Sequence, residues 1–133
     1  MEDDVRRTLY AWLETFAAAE SLPVAFPGWN FEPGGEPYLR VQVFPTRPSL
    51  MGVKTGWSIH TWLFQVSVYI RPGKGDLSAQ SVADRLRTAL THSTRLTGSE
   101  AVYTVIGQAD IAPHIAVEGW LAVPVTFRIQ ATR

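Results

Sequence analysis

The sequence predicts an α+β fold: a mainly antiparallel sheet of about four to five strands with two helices packed on one face, in the order α-β-β-α-β-β. Three observations predict it. Apolar residues recur at helical spacing in two stretches, one from Glu2 to Glu20 and one following Asp76. They alternate at period two in two others, around Trp62 to Ile70 and Leu121 to Ile129. Clusters of proline and glycine separate these runs. With 133 residues, residues 1–133 read as one domain, and 46% apolar against 18% charged residues suits a single packed core.

The first helix covers Glu2 to Glu20. Glu2, Asp3 and Asp4 stand in its first turn, where carboxylates suit the positive end of the helix dipole. Val5, Leu9, Trp12, Leu13 and Phe16 form the apolar stripe. Ser21-Leu22-Pro23 ends it, because a residue before proline avoids helical geometry. Pro23 to Pro37 is a connector too rich in proline and glycine for a long regular element, with room for a short edge strand at Pro23 to Phe26. Its Trp29 and Phe31 are expected to fold back as a lid on the core. Tyr38 to Phe44 is a strand, with Leu39, Val41 and Val43 on one side and Tyr38, Arg40, Gln42 and Phe44 on the other.

About fifteen residues, Pro45 to Ile59, precede the central strand. Loops of that length in compact domains tend to be functional. This one carries Leu50, Met51, Val53 and Trp57, which must pack on their own domain or on a neighbouring subunit. His60 to Arg71 is the longest strand-like run. Trp62, Phe64, Val66, Val68 and Ile70 line one face, and Leu63, Gln65, Ser67 and Tyr69 the other, half-wet one. Pro72-Gly73-Lys74-Gly75 stops it, and Asp76 caps a second helix with the stripe Ala79, Val82, Ala83, Leu86 and Leu90. Thr91 to Ser99 is a polar link, Ala101 to Ile106 a strand, and Gly107 to Pro113 a turn region. Trp120 to Ala131 is the last strand, and a short strand at His114 to Val117 is placed to hairpin with it. Pro124 within the last strand implies an edge position or a bulge, since it has no N–H for a central ladder.

Composition excludes several function classes. The chain has no cysteine, so disulfides and thiolate metal sites are ruled out. Twelve basic residues balance twelve acidic ones, which argues against a nucleic-acid binder and leaves little repulsion to oppose self-association. No apolar run approaches the roughly 18 residues of a membrane span, and the start Met1-Glu2-Asp3-Asp4 is unlike a signal peptide. The expectation is a soluble protein made in the cytoplasm, with no membrane and no specific nucleic acid among its partners.

The search for chemistry ends without a catalytic, cofactor or metal site. His60, His92 and His114 lack ligand-like partners at short spacing. Pro72-Gly73-Lys74-Gly75-Asp76 joins a strand to a helix as a phosphate loop does. Yet glycine rather than Ser or Thr follows its lysine, and Asp76 puts negative charge where phosphate belongs. No G-x-S-x-G elbow is present. Arg47, Lys54, Arg71 and Lys74 flank the long loop and the glycine turn and define one basic patch, read as a protein contact rather than a nucleic-acid one.

The chain resembles the phage tail terminator family, small proteins related to the lambda-type minor tail protein U. The resemblance rests on Trp29-Asn30-Phe31-Glu32-Pro33, Pro37-Tyr38-Leu39-Arg40-Val41, the run from Gly56 to Tyr69, Pro72-Gly73-Lys74-Gly75, the helix around Ala79 and Ala83-Asp84, and Gly119-Trp120-Leu121-Ala122-Val123-Pro124-Val125. The pieces span about Pro23 to Ile129, in order. It implies a structural virion protein, not an enzyme and without a cofactor. Such proteins form a six-subunit ring on the head-proximal end of a phage tail, end tube polymerisation and offer a surface for head-tail joining. The implied partners are further copies of itself, the major tail tube protein and a head-completion or neck protein. Subunit or tube contacts are expected at Arg47, Met51, Lys54, Trp57, Arg71 and Lys74, with Met51 and Trp57 as anchors. The competing readings are another neck or head-tail completion protein, and a small-ligand-binding domain or enzyme using a sheet face with Trp62 or Trp120.

Overall fold

The computed structural model describes residues 2–32, 37–46, 49–50, 58–73 and 77–132. In chain order the elements are α1 (Glu2–Glu20), β1 (Val24–Ala25), β2 (Tyr38–Pro45), β3 (Ser49–Leu50), β4 (Ser58–Ile70), α2 (Leu77–Ala89), β5 (Arg95–Thr97), β6 (Val102–Ile111), β7 (Ile115–Val117) and β8 (Trp120–Thr132). The class is α+β. One sheet runs β1-β2-β4-β8-β6-β5, with β3 also on β4 and β7 also on β8. Of the described pairs only β1–β2 is parallel. The expected four to five strands are too few. β2, β4 and β8 stand where the alternation puts them, and the short strands expected at Pro23 to Phe26 and His114 to Val117 are present as β1 and β7, whereas β3 and β5, two and three residues long, are too short to show a period.

Both helices contribute to one core on one face of the sheet. Val5, Leu9, Leu13 and Ala17 of α1 and Ala79, Val82, Ala83 and Leu86 of α2 meet Leu39, Val41, Trp62, Phe64, Val66, Val125, Phe127 and Ile129 of the strands. Ala17 takes the buried position at the end of the α1 stripe. Trp12 and Phe16 lie on its shoulder, half-buried and stacked on each other at 5.6 Å. The helix closes with Ser21 in left-handed geometry (φ 56°). There the Ser21 N–H donates to the Ala18 carbonyl at 3.2 Å and the Leu22 N–H to the Ala17 carbonyl at 2.9 Å. This Schellman closure satisfies the last carbonyls, and Pro23 then prevents continuation.

The start of α1 is tied to the β5–β6 hairpin by a buried carboxylate. Asp4 accepts hydrogen bonds from the Tyr103 hydroxyl at 2.6 Å and from the N–H groups of Ser99 at 2.9 Å and Glu100 at 3.0 Å. The Tyr103 hydroxyl, followed by the Glu100 N–H, holds the Asp4 carboxyl below its usual value, against the opposing effect of burial. Gly98 is required for this approach. A Cβ there meets Asp4 Oδ2 within contact distance, Tyr103 Cε2 at 2.7 Å and Thr8 Oγ1 at 2.8 Å. Beside it the Trp62 indole N–H donates to Glu2 Oε1 at 3.0 Å. Trp62, only 1% exposed, is therefore a core residue and not part of a ligand face.

Two further expectations change. Gly107 to Pro113 is not simply a turn. β6 runs on to Ile111 through an irregularity between Ile106 and Asp110, where Gly107 adopts φ 73° and its N–H donates to His92 Nδ1 at 2.7 Å. β8 is not an edge: it lies between β4 and β6. Pro124 is tolerated because it sits where the β6 ladder gives way to β7. β6 pairs up to Ile111↔Val125, and β7 resumes at Ile115↔Ala122. The Pro124 carbonyl accepts from the Ala112 N–H at 3.0 Å on that side, so the missing N–H points to the same junction. The ladder to β4 loses nothing.

Candidate functional site

Among the described residues the second face of the sheet carries no helix, and period two assigns its residues. On β2 these are Tyr38, Arg40, Gln42 and Phe44; on β4 Leu63, Gln65, Ser67 and Tyr69; on β8 Trp120, Ala122, Pro124, Thr126 and Arg128. Register brings Tyr38, Tyr69 and Ala122 into one row and Phe44, Leu63, Arg128 and Ile106 into another. Side chains on this face have had to find partners without a covering layer, and the two ends do so differently.

At one end a small aromatic cluster forms, separate from the main core. Ala25, Tyr38 and Trp120 are buried, with Phe31 and Tyr69 packed against them. Tyr38 stacks on Tyr69 at 4.9 Å, meets Trp120 edge-on at 5.0 Å and touches Phe31 at 4.8 Å. Two guanidinium groups lie over these rings. Arg71 sits 3.9 Å from the Trp120 ring centre, and Arg40 sits 5.5 Å from that of Tyr69 and 6.0 Å from that of Tyr38. Burial pushes the Tyr69 hydroxyl above its usual pKa, with nearby Arg40 opposing. The cluster borders a cleft of about 360 Å³ lined by Tyr38, Arg40, Tyr69, Val117, Glu118 and Trp120. Its rim is the two-residue turn of the β7–β8 hairpin, Glu118 (φ 44°) and Gly119 (φ 85°), a primed turn that suits the twist of the strands.

The other end is looser. Phe44 is 42% exposed, and Leu63 and Ile106 are half-buried. Trp29, expected to cover the core, is instead 79% exposed, whereas Phe31 folds back, onto Tyr38. Gly28 (φ 81°) turns the chain just before Trp29, which borders a cleft beside α1 together with Tyr10, Ala11 and Phe26.

Of the predicted contact residues, Arg47, Met51, Lys54, Trp57 and Lys74 lie outside the described residues, as does the Asp76 cap. Arg71 is exposed and belongs to the aromatic end of the helix-free face. The structure thus joins Arg71 to Arg40, Tyr38, Tyr69 and Trp120, which sequence reading did not group. The signal was present in the alternation: Tyr38 and Arg40, and Tyr69 and Arg71, are i, i+2 pairs on strands that neighbour each other. Among the described residues no cluster of three or more histidines and carboxylates can hold a metal ion, and no helix is long and apolar enough to cross a membrane.

A family model described as phage tail terminator protein matches residues 4–128. Two solved structures share the architecture. One, a protein named only by a sequence identifier, is 22% identical with a TM-score of 0.82, and the alignment covers 98% of this chain and 95% of that one. The other is a chain from the virion of a native gene transfer agent particle, 19% identical with a TM-score of 0.69, covering 99% and 97% of the two chains. At these identities the likeness is one of fold. No curated protein matches the chain.

Proposed function

The chain belongs to the phage tail terminator protein family, and on that premise we propose that it is a structural virion protein that caps the head-proximal end of a tail tube. The observation that carries this reading is the family match across residues 4–128; the fold shared with a chain of a gene transfer agent virion supports it. In this role the protein ends tube polymerisation and presents a surface for head-tail joining. Its partners are further copies of itself, closing into a six-subunit ring, the major tail tube protein and a head-completion or neck protein. Its work is done by shape and contact, not by catalysis.

Physical features suit such a part. A head-to-tail contact makes a ring when its rotation closes. A net charge of +0 does not oppose association. The segment Pro45 to Ile59 and the turn Pro72 to Gly75, with Arg47, Met51, Lys54, Trp57, Arg71 and Lys74, supply the contacts. The half-exposed row Phe44, Leu63 and Ile106 adds apolar surface on the helix-free face.

The deciding experiment is electron microscopy of particles made with this gene deleted. Overlong tails not joined to heads are expected. Tails of normal length attached to heads overturn the capping role and point to another neck component. Trp57→Ala is expected to leave a folded protein that no longer caps tubes; loss of the fold instead makes Trp57 a core residue.

A further inference from the structure

The sheet ends in two edges, β2 on one side and β6 on the other, and each is covered only in part. β1 pairs with β2 at Leu39 and Arg40. β5 pairs with β6 at Val102 to Thr104, and Ser93 and Thr94 just before β5 bond to the backbone of Val105. Among the described residues, Val41 to Pro45 of β2 and Ile106 to Ile111 of β6 have no strand on their outer side. Such an edge is a template on which another chain can pair.

The two open stretches match each other. Register carried across the sheet puts Val41, Val66, Val125 and Ile111 in one row, Gln42, Gln65, Thr126 and Asp110 in the next, and Phe44, Leu63, Arg128 and Ile106 in a third. The open part of one edge thus stands at the height of the open part of the other. β1 lies beyond the Val41 row and β5 beyond the Ile106 row, at opposite ends. Three antiparallel steps separate β2 from β6, so the edges run in opposite directions. A second copy set beside the first in the same orientation brings its β2 antiparallel against β6. The backbone phase agrees as well. Leu39 turns its N–H outward, to the Pro23 carbonyl, so Val41 and Val43 also turn outward. On β6 the Ala112 N–H bonds inward, to the Pro124 carbonyl, so Ile111 turns outward. His92 already holds the Gly107 N–H, which leaves Ala109 to Ile111 for pairing. Side chains on the shared rows are complementary. Phe44, 42% exposed, comes opposite Ile106, and the exposed Gln42 amide opposite the exposed Asp110 carboxylate.

We propose that the β2 edge of one copy pairs with the β6 edge of the next, Val41 to Val43 against Ala109 to Ile111, so that the sheet continues from subunit to subunit. This rests on the reading of a self-closing ring and names the strand edges that close it. Rotation about an axis along the strands leaves height unchanged, so edges open at equal height join into a closed ring, whereas an offset gives an open, climbing array. A foreign strand needs one open edge only. Two edges equal in height, opposite in direction and complementary in side chains select a second copy of this chain.

The test is disulfide cross-linking, for which the chain is suited because it has no cysteine of its own. Gln42→Cys and Asp110→Cys are introduced together and singly into the full chain. Within one chain the two positions are three strand spacings apart, about 14 Å, beyond the reach of a disulfide, so any bond between them joins two copies. The concentrated protein is oxidised with copper phenanthroline and run on non-reducing gels. The double variant is expected to give a ladder of covalent oligomers. An equal mixture of the two single variants is expected to give a dimer and nothing larger. Adding Phe44→Asp to the double variant is expected to slow cross-linking at least about tenfold, through the lost apolar contact with Ile106. Circular dichroism checks the fold; if Phe44→Asp disturbs it, the mixture decides. No ladder, no dimer in the mixture, single variants that dimerise alone as readily as the mixture, or a folded Phe44→Asp variant that cross-links at the parent rate overturns the proposal. Overlong tails in the deletion strain with no ladder leave capping standing and move the subunit contact elsewhere. A ladder with normal tails leaves the edge contact standing without capping.

Discussion

The two faces of the sheet use aromatic residues in opposite ways. Under the helices, Phe64 and Phe127 lie 5.7 Å apart and Trp62 meets Tyr103 edge-on at 5.6 Å, all fully buried in a continuous apolar core. On the open face, among the described residues, Tyr38, Tyr69 and Trp120 pack with each other, Ala25, Phe31 and two guanidinium groups. A covered face gains its stability from area removed from water. An open one gains less, from specific ring and cation contacts, and keeps polar groups available to a partner. The same strands therefore supply a continuous core from one side and a more polar, partly exposed face from the other.

The contrast is broken most severely on the covered side. Phe64→Ala removes a side chain at the centre of the sheet and is expected to cost about 3–5 kcal/mol, read by chemical denaturation. A loss below about 1 kcal/mol there contradicts the dry-core description. At the rim of that side, Gly98→Ala drives a methyl group into Asp4, Tyr103 and Thr8. Such overpacking is expected to cost about 1–3 kcal/mol, visible as a lowered midpoint in the same assay.

The Asp4 clasp adds a pH signature. Its folded pKa lies below the unfolded value of 3.8. Its contribution is therefore fully present above the unfolded value and is lost as pH falls through the folded one. Urea denaturation across that acid range is expected to show the loss, and Asp4→Asn is expected to abolish that component while lowering stability at neutral pH. On the open face the effect is smallest. Arg40→Ala removes a solvent-exposed cation over two tyrosines and is expected to cost no more than about 1 kcal/mol. A larger loss means that the open face helps to hold the fold, and the contrast between the faces narrows.

What was legible in the sequence follows the same division. Period two in β4 and β8 identified Trp62, Phe64, Val66, Phe127 and Ile129 as core because a covered face imposes a strict pattern. The open face imposes none, so Tyr38, Arg40, Tyr69 and Trp120 did not declare themselves as a group. Strand β6 beyond Ile106 was hidden because Gly107 and Asp110 carry turn signals, which the irregular pairing with β8 accommodates inside a strand. Pro124 was read as a mark of an edge. It marks one only locally, at the junction of β6 and β7, which no single-strand pattern can reveal.

The ladder between β4 and β8 has a kinetic consequence. It is the longest in the molecule, twelve register pairs from Ile59↔Thr132 to Ile70↔Leu121. Yet it joins stretches far apart in the chain: Gln65 and its neighbour Thr126 are 61 residues distant. The β2–β4 pair can close early, but the centre of the sheet cannot until β8 has been synthesised and has travelled back across α2 and β6. Such non-local closure places folding on the slow side, about milliseconds to seconds. During that interval the apolar faces of α1, β2 and β4 are made but uncovered. How soon those faces are covered thus depends on how fast one pair of distant strands finds its register.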